Sequence, residues 1–145
     1  MSGLQEVIRV LVVDDSVDAA NGLVAVLSSA DYDARAAYDG VTALEVATIF
    51  KPHVVMLDID MPHMNGYVTA EGLRQLAEPQ VLIAYTAHSG PESVAATARA
   101  GFDLHLSKPC EVRQLLQLLE QTVLNLVQGA PSDVRRRVPR ASGQR

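Results

Sequence analysis

Residues 54–60 are Val-Val-Met-Leu-Asp-Ile-Asp, and this stretch decides the fold. Its four leading apolar residues predict a strand that is buried on both faces, as in a parallel sheet covered by helices. Asp58 follows the apolar run directly, and ligands of open α/β sheets bind in the crevice outside the carboxyl ends of the strands. A nearly buried carboxylate is costly unless it has a role. Asp58 is therefore the first candidate for the reactive residue.

An apolar strand followed by an amphipathic helix occurs five times along the chain. Strands are predicted at residues 8–13, 33–37, 54–57, 80–85 and 104–107. Helices follow them, the first from an N-cap at Ser16 to about residue 29 and the others at about 42–49, 67–76, 91–100 and 111–127. Asp39-Gly40 is predicted to be a turn. The order indicates one α/β domain with a parallel sheet, covered on both faces and joined by right-handed crossovers.

Length and composition fit a single globular domain, with 145 residues of which 48% are hydrophobic. The longest apolar runs are far shorter than the ~20 residues that a membrane-spanning helix needs. The N-terminus lacks the basic and apolar segments of a signal peptide. The single cysteine, Cys110, excludes an internal disulfide. These features predict a soluble, cytoplasmic protein without a membrane span.

The net charge of −5 divides unevenly along the chain. Residues 129–145 hold five arginines and one aspartate, whereas residues 1–128 hold seven basic and 16 acidic side chains. We expect a short lead at 1–6, an acidic folded domain at 7–128 and a basic, disordered tail at 129–145. The acidic domain suits a divalent cation or a basic partner better than nucleic acid. The tail is either a solvated terminus, a weak contact for anionic membranes or nucleic acid, or a segment that folds back on the domain.

Four of the five predicted strands end in polar groups that suit phosphoryl chemistry: Asp14 and Asp15, Asp58, Thr86 and Lys108. Parallel strands end at one edge of a sheet, so these side chains can meet in one cleft. Neighbouring carboxylates repel, and Mg²⁺ suits them because it takes oxygen ligands and keeps places for water and phosphate. A carboxylate can accept a phosphoryl group as an acyl phosphate. Taken alone, the acid pair also fits helix capping. Thr86 alone could be any threonine at a strand end, and Lys108 alone could be an ordinary surface lysine.

The motifs at these strand ends match a known family in their spacing and order. They are Val-Leu-Val-Val-Asp-Asp at 10–15, Met-Leu-Asp-Ile-Asp-Met-Pro at 56–62 with Asn65-Gly66 after it, Tyr-Thr-Ala at 85–87 and Lys-Pro at 108–109. Over roughly residues 7–127 the chain resembles a receiver domain of two-component response regulators. It is similar to the single-domain chemotaxis regulators.

The resemblance implies a flavodoxin-like, doubly wound sheet of five parallel strands in the order 2-1-3-4-5, with five helices. It implies that Asp58 is the phosphoacceptor and that the phosphoryl group comes from a histidine kinase or a histidine phosphotransfer protein. Thr86 and Lys108 would bind the phosphoryl oxygens. The Lys108–Pro109 bond is often cis in this family.

The resemblance also implies a metal site and two positions that tune the phosphoryl lifetime. Asp14 and Asp15 would hold Mg²⁺ with Asp58, one of the pair through water, and Asp60 would offer its backbone carbonyl. Asp60 lies two residues after the phosphoacceptor, and His88 lies two residues after Thr86. In the family these two positions tune the lifetime of the phosphoryl group. The sequence does not fix the sign of their effect.

His105 departs from the pattern, because the family usually has Tyr or Phe at this switch position of the fifth strand. In the family the threonine moves toward the phosphoryl group and the aromatic ring turns inward behind it. An imidazole can fill that space, but it is polar and titrates near neutral pH. His105 is therefore either a switch residue or a partly exposed histidine without that role.

The resemblance implies a phosphorylation-dependent switch or phosphorelay receiver, which catalyses only its own phosphorylation and dephosphorylation. Phosphorylation would shift an existing equilibrium between two conformations. The output surface would comprise His105 and residues 91–100 and 111–119. Only 17 residues follow Gln128, so we expect no DNA-binding domain and an output to an unknown downstream protein. The expected oligomeric state is a monomer or a weak dimer.

Two alternatives come from other functional classes. A phosphohydrolase of the haloacid dehalogenase type also uses an Asp-x-Asp motif, which Asp58 and Asp60 match, but its acidic pair normally follows the nucleophile in the chain. A module that binds its partner without phosphorylation would keep the fold alone. The presence of the full set of site residues argues against this second alternative, and His105 keeps it open.

Overall fold

The protein is described by a computed structural model over residues 7–60, 65–76, 79, 81–87 and 90–128. The strands are β1 (Arg9–Val13), β2 (Asp33–Ala37), β3 (Val54–Asp58), β4 (Val81–Thr86) and β5 (Leu104–Ser107). The helices are α1 (Val17–Ser29), α2 (Gly40–Phe50), α3 (Gly66–Leu76), α4 (Pro91–Arg99) and α5 (Val112–Gln128). All strand pairs are parallel and the order is β2-β1-β3-β4-β5. The predicted fold class and strand order are confirmed.

The central strand β3 is buried over its whole length, from Val54 to Asp58. Its side chains alternate between the two faces of the sheet. Val54 and Met56 belong to the core that α1 and α5 cover, and Val55 and Leu57 belong to the core under α2 and α3. Burial on both faces explains why the strand has a continuous apolar sequence.

Hydrogen bonds at the helix ends explain where the sequence-based limits hold and where they shift. The Ser16 hydroxyl caps α1 by accepting from the Ala19 N–H, as predicted. The predicted turn at Asp39-Gly40 is wrong, because Asp39 is the N-cap of α2 and accepts from the Thr42 N–H at 2.7 Å. Short polar side chains favour this position because they satisfy an amide that the helix leaves unpaired.

The strands end together at one edge of the sheet, called here the carboxyl edge, and begin at the opposite amino edge. Register pairs Val13 with Leu57 and Asp58 with Tyr85. The segments that follow β1, β3, β4 and β5 therefore converge at the carboxyl edge. The Lys108–Pro109 bond in this region is cis, as the resemblance implied. None of the helices in the described part of the chain has the length and hydropathy needed to cross a membrane.

Candidate functional site

Three carboxylates converge at the centre of the carboxyl edge. Asp14, Asp15 and Asp58 each offer one oxygen, and these oxygens lie within 4.8 Å of one another. Asp14 is 6% exposed and Asp58 is 4% exposed, whereas Asp15 faces solvent. The sequence-based prediction that residues from β1 and β3 meet in one cleft thus agrees with the geometry.

Lys108 supplies the cation of the site. Its Nζ lies 3.0 Å from Oδ2 of Asp58 and 5.2 Å from the centre of the Tyr85 ring. Burial alone would lower the pKa of the Lys108 ammonium, but the hydrogen bond to Asp58 and the surrounding carboxylates raise it above its ordinary value. The ammonium therefore stays charged beside Asp58 at neutral pH.

Within this cluster, Asp14 has a raised pKa. Burial raises the pKa of its carboxyl group, and the negative charge of Asp58 adds to the rise. The Ser16 N–H, which donates to Oδ1 of Asp14 at 2.9 Å, and the Lys108 ammonium oppose this rise without cancelling it. One cation thus compensates the crowded carboxylates only in part.

The donor set fits a magnesium ion. All three groups are hard carboxylate oxygens, which Mg²⁺ prefers. The exposed position of Asp15 leaves the outer side of the cluster open to water, and Mg²⁺ normally keeps several water ligands. A second positive charge would favour the ionised form of Asp14, whose pKa is raised by burial and by the charge of Asp58.

Asp60 makes contacts that the sequence did not predict. Its Oδ1 accepts from the Thr86 hydroxyl and its Oδ2 accepts from the Ala87 N–H, both at 2.9 Å. Its own N–H donates to Oδ1 of Asp58, also at 2.9 Å. The side chain therefore joins the end of β3 to the end of β4, while Thr86 is fully buried. No sequence pattern signals this bridge, because it depends on the register between two strands.

His105 is buried, with 2% of its surface exposed, and the alternative of a partly exposed histidine is wrong on that point. Its Nδ1 lies 3.2 Å from the Thr97 hydroxyl of α4. The hydroxyl hydrogen of Thr97 is directed to the Val94 carbonyl at 2.8 Å. Because a hydroxyl has one hydrogen to donate, Nδ1 of His105 acts as the donor in this contact. His105 thus connects β5 to α4, and its role in switching stays a prediction.

Three further sequence-based predictions fall on residues outside the described ranges. They are the lead at 1–6, the lifetime-tuning position His88 and the basic tail at 129–145. The aromatic contact of Lys108 with Tyr85 was not predicted, since it needs the pairing of Asp58 with Tyr85 across two strands. Gly66 was noted only as part of a motif, but a Cβ there would lie 2.8 Å from the Cα of Ile59.

Known proteins resemble this chain in both sequence and structure. The profile described as the response regulator receiver domain matches residues 10–120. The response regulator MprA of Mycobacterium ulcerans (strain Agy99) is 33% identical over 129 residues, which are 86% of this chain and 56% of that protein. MprA of Mycobacterium bovis (strain BCG / Pasteur 1173P2) is 32% identical over 109 residues, covering 75% and 47%. The chain spans about half the length of the curated relatives it matches.

Solved structures give the same result. The chemotaxis protein CheY4 of Vibrio cholerae is 27% identical with a TM-score of 0.75, over 80% of this chain and 98% of that one. A CheY-like receiver domain protein from Methanospirillum hungatei JF-1 has a TM-score of 0.78 over 85% and 98% of the two chains. Its identity of 22% supports the fold alone. The receiver-domain profile, over residues 10–120, spans the sheet from Val10 onward and its carboxyl edge.

Proposed function

The chain belongs to the response regulator receiver domain family, and from this premise we propose that Asp58 accepts a phosphoryl group and thereby switches a protein-binding surface. The donor is a histidine kinase or a histidine phosphotransfer protein, met in the cytoplasm. The observation that carries the proposal is the buried Asp58 carboxylate, set between an acid pair and the Lys108 ammonium. We assign this activity to residues 7–128.

The chain's own groups position the reaction. One carboxylate oxygen of Asp58 attacks the phosphorus atom, and the bond from phosphorus to the donor nitrogen breaks as the acyl phosphate forms. Lys108, already 3.0 Å from Asp58, balances the negative charge that collects on the phosphoryl oxygens. The Thr86 hydroxyl and the Ala87 N–H lie at the same edge as further donors.

A magnesium ion would be held by Asp14, Asp15 and Asp58, with the Asp60 carbonyl as a further ligand. When bound, the ion supplies charge neutralisation for the phosphoryl transfer. Asp14 and Asp58 are the buried ligands of this set, and the exposed Asp15 leaves room for the incoming phosphoryl donor. The same ion would favour the ionised form of Asp14, whose pKa is raised by burial and, to a smaller extent, by the charge of Asp58.

The output surface combines α4, β5 and the first half of α5. His105 donates to Thr97 and so links the strand beside Thr86 to α4. A shift of Thr86 toward a phosphoryl group would be transmitted to α4 through this contact. The partner of that surface is a protein of unknown identity, and the domain acts as a monomer or weak dimer.

Intact mass spectrometry tests the proposal directly. The wild-type protein, incubated with acetyl phosphate and Mg²⁺, is expected to gain the mass of one phosphoryl group, and the gain is expected to need the metal. Asp58→Asn should gain none, while Asp33→Asn, which changes an exposed aspartate of β2, should behave as wild type. An adduct that persists in Asp58→Asn would refute the assignment. Steady hydrolysis of p-nitrophenyl phosphate would instead revive the phosphohydrolase alternative.

A further inference from the structure

The Asp60 carboxylate accepts hydrogen bonds from two donors at the end of β4, as a phosphoryl group could. One carboxylate oxygen takes the Thr86 hydroxyl and the other takes the Ala87 N–H, both at 2.9 Å. Hydrogen bonds to an ionised acceptor are roughly twice as strong as bonds between neutral groups. The pair therefore holds the first residues after β4 in a fixed arrangement.

Both donors lie at the carboxyl edge, next to the carboxylate on which the phosphoryl group would form. The Asp60 N–H donates to Oδ1 of Asp58 at 2.9 Å, so the two aspartates are joined directly. Thr86 is fully buried, and its hydroxyl can donate one hydrogen bond at a time. The Asp60 carboxylate and a phosphoryl oxygen therefore compete for the same hydrogen.

We propose that the Asp60 carboxylate is a positioning group that stands in for the phosphoryl group while Asp58 is unphosphorylated. It keeps the Thr86 hydroxyl and the Ala87 N–H turned toward the site, and it gives them up when the phosphoryl oxygens arrive. Phosphorylation then exchanges one anion for another. This inference rests on the proposed phosphorylation of Asp58.

The exchange has a measurable consequence at one amide. In the wild-type protein the Ala87 N–H keeps an acceptor before and after phosphorylation, so its protection from hydrogen exchange changes little. In Asp60→Ala the acceptor is lost, and exchange at Ala87 becomes about ten-fold faster or more. Beryllofluoride with Mg²⁺, which forms a phosphoryl-like group on an aspartate, restores the protection in Asp60→Ala by supplying the missing acceptor.

Asp39 offers a matched control at the same edge of the sheet. Its two carboxylate oxygens accept from the Thr42 N–H at 2.7 Å and from the Thr42 hydroxyl at 3.1 Å, in the same manner as Asp60. Asp39→Ala should expose the Thr42 amide to exchange by a similar factor. Beryllofluoride should not restore protection at Thr42, because this carboxylate only caps α2.

The test combines hydrogen exchange, read by NMR at Ala87 and Thr42, with intact mass after acetyl phosphate. Restored protection at Ala87 but not at Thr42 supports the inference. Two results overturn the inference while the proposed function stands. One is unchanged exchange at the Ala87 amide in Asp60→Ala, and the other is exchange that stays fast in Asp60→Ala although this variant binds beryllofluoride. A wild-type protein that gains no phosphoryl mass overturns both. If Asp60→Ala does not fold, Asp60→Asn replaces it, and with one carbonyl oxygen it should leave Ala87 partly protected.

Discussion

Two ion pairs lie at opposite edges of the same sheet, and each joins a basic side chain to a buried aspartate. Lys108 pairs with Asp58 at the carboxyl edge, and Arg74 pairs with Asp103 at the amino edge. The aspartate side chain is 5% exposed in both pairs. Burial and pairing are therefore alike, and the difference lies in what else surrounds the charges.

At the amino edge one guanidinium pairs with one carboxylate, and both groups make further hydrogen bonds. The Arg74 guanidinium donates to the Gly101 and Pro79 carbonyls as well as to Asp103. Oδ2 of Asp103 also accepts from the Leu82 N–H at 2.8 Å. Five fixed donors make arginine suited to such a junction. The pair therefore fastens the end of α3 to the starts of β4 and β5.

At the carboxyl edge one ammonium faces three carboxylates. Asp14 and Asp15 crowd Asp58 without a second cation within the described residues around them. A lysine is a point charge that can change partners more easily than an arginine fork. We expect the same kind of pair to stabilise the fold where the charges balance and, under the proposed function, to prepare Asp58 for phosphorylation where they do not.

The largest expected effect follows from breaking the amino-edge pair. Arg74→Met leaves Asp103 buried without its guanidinium, and we expect the free energy of unfolding to fall by about 2–4 kcal/mol. Urea denaturation measures this loss. Arg113→Met, which changes an exposed arginine of α5, is the control and should cost much less. Equal losses in the two variants would contradict a structural role for the amino-edge pair.

A packing change at the carboxyl edge should have the next largest effect. A Cβ on Gly66 would lie 2.8 Å from both the Cα and the Cγ2 of Ile59. Because Ile59 lies between Asp58 and Asp60, Gly66→Ala should lower the free energy of unfolding by about 1–3 kcal/mol and slow phosphorylation.

Gly22 provides the matched control for this change. A Cβ there meets nothing within 4 Å, and the residue lies inside α1. Gly22→Ala should raise the free energy of unfolding by up to about 1 kcal/mol. A Gly66→Ala protein with wild-type stability and wild-type phosphorylation rate would show that the close approach to Ile59 has no importance.

The smallest expected effect has the opposite sign. Asp14→Asn removes one of the crowded charges, so the metal-free protein should become more stable at pH 7, by about 1 kcal/mol for a partly screened repulsion. The same variant should lose most of the stabilisation that Mg²⁺ gives to the wild type. Thermal unfolding with and without Mg²⁺ measures both, and a less stable Asp14→Asn would count against a repulsive cluster.

The pH dependence of that gain follows from the raised pKa of Asp14. In the folded state the Asp14 carboxyl group keeps its proton at pH values above 3.8, which is its ordinary pKa. As pH rises through 3.8, the unfolded chain ionises first, and the folded wild type loses stability until its own carboxyl group has ionised. The difference between Asp14→Asn and wild type should therefore vanish at acidic pH. A difference that stays constant down to pH 3 would contradict this assignment.

The sheet and the side chains at its carboxyl edge could be predicted from the sequence because local patterns specify them. The apolar run of β3 ends in Asp58, and the predicted limits of β2 and β5 agree with the structure. Parallel pairing then brings Asp14, Asp58 and Lys108 to one edge. These predictions need only periodicity and strand direction.

The contacts across strands could not be predicted in this way. The bridge from Asp60 to Thr86 and Ala87, and the pairing of Arg74 with Asp103, join residues 26 to 29 positions apart. They depend on side-chain direction and strand register, which one sequence does not specify. The contact of the buried His105 with Thr97 of α4 likewise joins two elements whose packing one sequence does not specify.

The most direct test of the central claim locates the phosphoryl group on the chain. Borohydride reduces an aspartyl phosphate to homoserine with release of phosphate, so the treated protein can be digested and sequenced by tandem mass spectrometry. After incubation with acetyl phosphate and Mg²⁺, we predict homoserine at position 58 and at no other aspartate. Homoserine at position 14, 15 or 60 with Asp58 unchanged, or no conversion at all, would contradict the account.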